Sequence, residues 1–193
     1  MMLDITEGAL EELTTTYARH NATTTGRPPA RSLRRYRDGI VGDAAAADRA
    51  ACWLRLVSVV EIYTETLLRR LSDEQPGRAP RGWSDVTESL KRHHNIDVAA
   101  VEGWARLDAS FTVRNAVAHG LGRFTARQIE KGEPRKMRLI AVQVRDGAVV
   151  ITPEALAACA ETCRVFVTAL DACSRPSTAF GPAQTEACRR LSG

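Results

Sequence analysis

Arg114, Asn115 and His119 place a guanidinium, a carboxamide and an imidazole within six positions near the middle of this 193-residue chain. A guanidinium binds phosphate through paired N–H donors, and an imidazole transfers protons near neutral pH. Gly120 closes this string, which we call the 114–120 motif. These side chains are the types that a site acting on a phosphodiester requires.

The same residues also have a purely structural interpretation. A histidine at the end of a helix can bond the last helical carbonyls, and Arg114 can form a salt bridge with a carboxylate such as Asp108 or Glu61. An arginine followed by a histidine after four to six residues arises easily by chance in an arginine-rich chain. The setting of the motif must therefore decide between the two interpretations.

Apolar residues at helical spacing predict that the motif ends a helix. We expect Asp97 to cap this helix and the glycines at 120 and 122 to end it, and the stripe between them consists of Trp104, Leu107, Phe111, Asn115 and Ala118. At about 100° per residue, Arg114 lies about 140° around the axis from His119, so the two side chains do not share a face. The reach of arginine, fraying of the helix end, or a second copy of the motif must bring the two groups together.

A longer helix, predicted from Asp43 to Leu71, supplies a candidate acid. Its apolar stripe consists of Trp53, Leu56, Val57, Val60, Thr64, Leu67 and Leu71. Glu61 lies about 80° from the centre of this stripe, which places it at the boundary between core and solvent. It is therefore a candidate cleft acid, with an ordinary flanking carboxylate as the alternative.

The remaining elements complete an all-α antiparallel helical bundle with one small β-hairpin before the last long helix. Helices are predicted from Leu3 to about His20, from a Ser84 cap to about His94, and from Pro153, capped by Thr152, to about Cys173. Asp146-Gly147 between β-branched runs predicts the hairpin near 138–152. We expect a single domain over 1–193, with a helix and basic linker in 1–42, the helical core in 43–173, and a tail in 174–193.

Two basic segments could contact a polyanion such as RNA. The first, 27–37, includes Arg34 and Arg35 and has a solvated linker as its alternative interpretation. The second, 123–138, is predicted as a mobile loop beside the motif and contains Arg123, Arg127 and Lys131. The formal charge of +4 and pI near 9.0 permit such a partner, although coding bias towards arginine explains them equally well.

Composition favours packed helices, because 44% of the residues are hydrophobic and only 5% are aromatic. The five cysteines form no CxxC pair, which favours buried reduced thiols over disulfides or a metal site. No signal peptide or membrane-length apolar run is present. We therefore expect a soluble cytoplasmic protein without a metal or cofactor.

The motif resembles the hallmark of the HEPN superfamily, an arginine, usually followed by a polar residue, with a histidine after four to six residues. The resemblance covers about 44–173, with Glu61 at the position of the acid often found on an earlier helix. Some members carry a tyrosine two residues after the histidine, linked to control by a nucleotidyltransferase antitoxin. Leu121 stands there in this chain, which argues against that type of regulation.

The resemblance implies a homodimeric, metal-independent endoribonuclease, of the kind that serves as a toxin or phage-defence effector. Arg114 would hold the scissile phosphate, His119 would move the proton, Asn115 would orient either group, and Glu61 would position them. A protein antitoxin or regulator is a candidate partner. The alternatives are a non-catalytic RNA-binding module that uses the two basic segments, and a helical protein that binds and regulates another protein.

Overall fold

The computed structural model describes residues 2–25, 44–72 and 82–175. The elements in chain order are α1 (Asp4–Thr25), α2 (Ala44–Leu71), α3 (Trp83–His94), α4 (Trp104–Gly120), α5 (Ala126–Glu130), β1 (Gln143–Arg145), β2 (Ala148–Val150) and α6 (Pro153–Ser174). Short 3-10 helices cover Val98–Ala100 and Glu133–Leu139. The chain is mostly helical, with a two-stranded hairpin before the last helix, which confirms the predicted all-α class.

Two predictions fall outside the described residues. The basic segment 27–37, with Arg34 and Arg35, is one of them. The other is the tail beyond residue 175. No helix in the described part of the chain is long and apolar enough to cross a membrane.

Helix α2 forms the centre of the bundle because its apolar stripe is buried along the whole helix. Trp53, Val60 and Leu67 are completely inaccessible to solvent. α1, α3, α4 and α6 all pack against α2. Burial of a large side chain of this kind stabilises the fold by about 1.5–3 kcal/mol, so this stripe orders the helices around it.

Helix α1 belongs to the same bundle and runs antiparallel to α2. Asp4 pairs with Arg70 near the end of α2, whereas Glu12 pairs with Arg55 further towards its start, at 3.3 Å. The sequence predicted a loop from residue 21, but α1 continues to Thr25. The Thr23 hydroxyl donates to the carbonyl oxygens of Arg19 and His20, a local bond that a helix tolerates.

A buried polar cluster fixes the start of α1 against the end of α6. Asp171, which is fully buried, accepts hydrogen bonds from the Leu3 amide at 3.1 Å and the Thr6 hydroxyl at 2.7 Å. Its carboxylate also pairs with Arg175. Burial tends to raise the pKa of Asp171, but the Thr6 and Arg175 bonds outweigh it and lower the pKa. Burial also raises the pKa of Tyr63, which contacts Thr6, to about 12.

The segment before α4 differs from the prediction. Asp97 caps the short 3-10 helix Val98–Ala100, through a bond from the Ala99 amide, and α4 begins only after Gly103. Gly103 has a φ of 84°, and a Cβ there would meet the Phe166 amide nitrogen at 3.6 Å. This is an ordinary contact distance, so it is the left-handed φ, which glycine adopts without steric cost, that marks the break. Likewise, Gly82 rather than Ser84 is the cap residue of α3.

The hairpin forms at the predicted Asp-Gly turn, with shorter strands than expected. Asp146 and Gly147 have positive φ values of 50° and 75°, as a two-residue hairpin loop requires. The Phe124 amide donates to the Gly147 carbonyl, and the Val149 amide donates to the Gly122 carbonyl at 2.8 Å. These bonds anchor the hairpin to the chain just after α4.

Of the cysteines in the described part of the chain, Cys52, Cys159 and Cys163 are buried, as predicted for inert thiols, whereas Cys173 is exposed. Burial raises the pKa of Cys52 to about 11. It also raises the pKa of Cys159 well above its ordinary value. The thiols of Cys52 and Cys159 thus stay protonated and pack as small apolar groups.

Replacement of Asp171 by asparagine should destabilise the protein by about 1–3 kcal/mol near neutral pH, because the ion pair with Arg175 is lost in a buried place. The pKa of Asp171 is lowered by folding, so its stabilisation is present above the unfolded pKa of about 3.9 and is lost as the pH falls through the folded pKa. Urea unfolding at several pH values should therefore show that the difference in free energy of unfolding between wild type and Asp171→Asn becomes smaller in acid.

Glu65→Gln serves as the control for this experiment, because the pair of Glu65 with Arg69 is exposed and should contribute no more than about 0.5 kcal/mol. A difference between wild type and Asp171→Asn that stays constant down to about pH 3 would contradict the proposed role of the carboxylate charge.

Candidate functional site

A cleft of about 580 Å³ opens between the start of α3, the middle of α4 and the segment that follows α4. Five predicted site residues line it: Glu61, Arg114, Asn115, Arg127 and Lys131. Its volume lies within the range of roughly 300–1,000 Å³ that small-molecule sites occupy. The packing of α4 against α2 thus brings most of the predicted site to one place.

Arg114 lies at the wall of this cleft, held by two neighbours. Its guanidinium donates to the Asn115 carboxamide oxygen at 3.0 Å and approaches a Glu61 carboxylate oxygen at 3.4 Å. Both charged side chains are partly exposed, at 30% and 27%. The 3.4 Å separation is long for a charge-assisted hydrogen bond, so the pair holds Arg114 loosely. Glu61 does sit at the boundary between core and solvent.

His119 lies on the last turn of α4 and is exposed, and it does not line the cleft. Its imidazole forms no hydrogen bond with any residue that the structure describes. The helix end is closed by the backbone instead, because the Leu121 and Gly122 amides both donate to the Ala116 carbonyl. The capping interpretation of His119 is therefore not observed, and one chain alone does not bring His119 to Arg114.

The segment after α4 is structured, contrary to the predicted loop. Thr125 and Gln128 form a reciprocal capping box at the start of α5, and the 3-10 helix Glu133–Leu139 follows. Arg127 and Lys131 face the cleft from this segment and form no ion pair with a described residue. They are therefore available to an anion.

Arg123 does not line the cleft. Its guanidinium donates to the Asp146 carbonyl in the hairpin turn, and its backbone forms an isolated bridge with Ala148. In this position the side chain supports the hairpin.

The cleft is also lined by a triad of charged residues that the sequence did not reveal, Asp108, Glu133 and Lys136. Lys136 pairs with Asp108 at 2.8 Å and with Glu133 at 2.9 Å, and Glu133 also accepts from the Thr112 hydroxyl at 3.0 Å. The spacing of Glu133 and Lys136 at i,i+3 signals a local pair, but nothing in the sequence joins them to α4.

Ionisation within the triad follows from these bonds. Burial tends to raise the pKa of Glu133, but bonds from Lys136 and Thr112 outweigh it and lower the pKa. Burial tends to lower the pKa of Lys136, but bonds to Asp108 and Glu133 raise it. Glu133 and Lys136 are therefore both charged near neutral pH, and Lys136 already has two carboxylate partners of its own.

Aromatic rings form a further part of the cleft that the sequence did not reveal. Trp83 and Phe111 both line it, with ring centroids 4.5 Å apart at an angle of 42°. Trp104 lies parallel to Trp83 at 6.1 Å and does not line the cleft, so it supports Trp83 from outside. Only 5% of the residues in the chain are aromatic, yet three aromatic rings lie in or beside this one cleft.

Comparison with known proteins found no matching family model, no similar curated protein and no similar solved structure. Within the described residues, no group of three or more His, Cys, Asp and Glu side chains is placed to hold a metal ion. The residues of the cleft and the 114–120 motif are therefore the features of the described chain that bear on function.

Leu121 provides a test of the helix end beside His119. It adopts a left-handed conformation with φ of 49° and is 95% exposed, so its side chain contributes little packing. Leu121→Gly should stabilise the protein by about 0.5–1 kcal/mol, because glycine adopts this conformation without steric cost. Urea unfolding measures the change.

Ala118→Gly is the matched control for Leu121→Gly. Ala118 is exposed but has ordinary helical geometry, so glycine there should destabilise by roughly 0.5–1 kcal/mol. If both substitutions destabilise the protein equally, the left-handed cap at Leu121 is not strained.

Proposed function

We propose that this protein is a metal-independent endoribonuclease of the HEPN type. The observation that carries the proposal is the position of Arg114, which is held by Glu61 and Asn115 in a cleft that also contains Arg127 and Lys131, two cations that form no ion pair with a described residue. Three positive side chains in one cleft suit a nucleic-acid backbone. The 114–120 motif adds the imidazole that proton transfer needs.

The proposed reaction uses the 2′-hydroxyl of the RNA as the nucleophile. This oxygen attacks the adjacent phosphorus while the bond to the 5′-oxygen of the next nucleotide breaks. The 2′-hydroxyl loses its proton and the leaving oxygen gains one, and His119 carries a proton in this exchange. Arg114 binds the phosphate oxygens and offsets their charge. The products are a 2′,3′-cyclic phosphate and a 5′-hydroxyl end.

A second copy of the chain would complete the site. His119 is exposed outside its own cleft, so a two-fold symmetric dimer offers a way to bring it to the Arg114 of the other copy. By analogy with the superfamily, the dimer would act in the cytoplasm as a toxin or phage-defence effector, with a protein antitoxin or regulator as a further partner.

Cleavage of mixed RNA in EDTA tests the proposal. Wild type should cut the RNA, whereas Arg114→Ala and His119→Ala should each lose about 100-fold or more in rate, because one removes phosphate binding and the other proton transfer. Arg106→Ala and His93→Ala are matched controls, since both residues are exposed and lie outside the cleft. Absence of cleavage by wild type, or equal rates for all variants, would refute the proposal.

Mixing the two inactive variants tests the shared site. If each site takes Arg114 from one copy and His119 from the other, a mixed dimer of Arg114→Ala and His119→Ala keeps one intact site of two. Random exchange should then restore up to about a quarter of the wild-type rate. No recovery, although native mass spectrometry shows that mixed dimers have formed, would contradict a site divided in this way.

The alternative is a non-catalytic RNA-binding module, which is favoured by the separation of His119 from the cleft within one chain. RNA binding would then weaken steeply with salt and survive His119→Ala, without any cleavage. Loss of binding in the double variant with Arg127→Ala and Lys131→Ala would place the RNA in the cleft.

A further inference from the structure

We infer that the cleft contains a nucleobase subsite on Trp83 and Phe111, beside the phosphate position at Arg114, and that this subsite prefers guanine. The inference deepens the proposed function and rests on it, because it names the base next to the phosphate that the enzyme would cut. It is carried by three features of the cleft: an aromatic wall formed by Trp83 and Phe111, the cations Arg114, Arg127 and Lys131, and a carboxylate edge formed by Asp108 and Glu133.

The aromatic wall offers a surface for stacking. Trp83 is half-buried, and Trp104 supports it from outside the cleft. Its indole N–H has no acceptor among the described residues. Single-stranded RNA is recognised largely by bases that stack on such aromatic side chains. Trp83 is thus held in place by its neighbours while part of its surface stays open.

The cations set the position of the nucleotide. Arg114, Arg127 and Lys131 line the same cleft as the two rings, and its volume of about 580 Å³ has room for a base, its sugar and one phosphate. A phosphate bound at these cations keeps the attached base within reach of the aromatic wall. Stacking and phosphate binding therefore act on the same nucleotide.

The carboxylate edge supplies the selectivity. One oxygen of Glu133 accepts from Thr112 and Lys136, and one oxygen of Asp108 accepts from Lys136. The second oxygen of each carboxylate has no hydrogen-bond donor among the described residues. Guanine presents two adjacent donors, N1–H and the 2-amino group, that match a carboxylate, whereas uracil places carbonyl oxygens on both sides of its single donor.

The test measures binding of 3′-GMP, 3′-UMP and inorganic phosphate to the full chain by isothermal titration calorimetry. Wild type should bind 3′-GMP at least about 10-fold more tightly than 3′-UMP, because a paired set of hydrogen bonds discriminates by that amount or more. Trp83→Leu should weaken 3′-GMP binding about 5-fold or more and leave phosphate binding unchanged. Trp83→Phe retains an aromatic ring and should keep most of the affinity.

Glu133→Gln should bring the affinities for 3′-GMP and 3′-UMP closer together. The glutamine amide places an N–H donor where the carboxylate oxygen would accept a hydrogen bond from guanine. Equal affinity of wild type for the two nucleotides overturns the inference. So does a Trp83→Leu variant that binds 3′-GMP as tightly as wild type, or one that loses phosphate and 3′-GMP binding equally.

Assays of RNA cleavage on the same preparations separate the two proposals. A protein that prefers 3′-GMP but cuts no RNA retains the subsite and contradicts the endoribonuclease. A protein that cuts RNA but binds the two nucleotides equally retains the endoribonuclease and contradicts the subsite.

Discussion

The bond between the Trp53 indole and the Ser110 carbonyl is the contact on which the arrangement of the cleft depends. It joins the fully buried Trp53 of α2 to α4 at 3.1 Å, one helical turn before Arg114. A tryptophan N–H buried without an acceptor is costly, so α4 is confined to positions in which Ser110 meets it. Because α2 also carries Glu61, the same packing sets the distance between Glu61 and Arg114. The cleft is therefore a consequence of how the core is built.

The cations of the cleft differ in how tightly carboxylates hold them, and this difference indicates which of them could bind an anionic ligand. Arg114 and Glu61 are partly exposed and 3.4 Å apart, and pairs of this kind contribute roughly 0–1 kcal/mol. A phosphate could therefore replace Glu61 as the partner of Arg114 at little cost in free energy. Lys136, in contrast, has two carboxylates within 2.9 Å and would have to give up both. In the proposed site a phosphate would therefore be bound by Arg114, Arg127 and Lys131, while the triad lines the same cleft without binding it.

Features governed by local physics could be predicted from the sequence. The stripe of α2, the Thr152 cap followed by Pro153, and the Asp146-Gly147 turn depend on side-chain spacing and backbone preference within a few residues, and the structure contains each of them. The prediction of Glu61 at the edge of the core also needed only helix geometry.

Features that depend on long-range packing could not be predicted. Lys136 meets Asp108 only after the chain folds back across α4. Trp83 and Phe111 are far apart in sequence and carry no periodic signal that would join them. The cleft thus contains five of the predicted site residues, together with Trp83, Phe111 and the triad, which tertiary contacts bring to it.

The position of His119 is the remaining constraint on the proposed chemistry. To enter its own cleft, His119 would require the last turn of α4 to unwind, which breaks the bonds of Leu121 and Gly122 to Ala116. It would also disturb the hairpin that is bonded to Gly122. At about 0.5–1.5 kcal/mol for each bond, this rearrangement costs several kcal/mol. In the proposed dimer, a second copy would receive His119 with all of these bonds intact, so the dimer requires less rearrangement than entry of His119 into its own cleft.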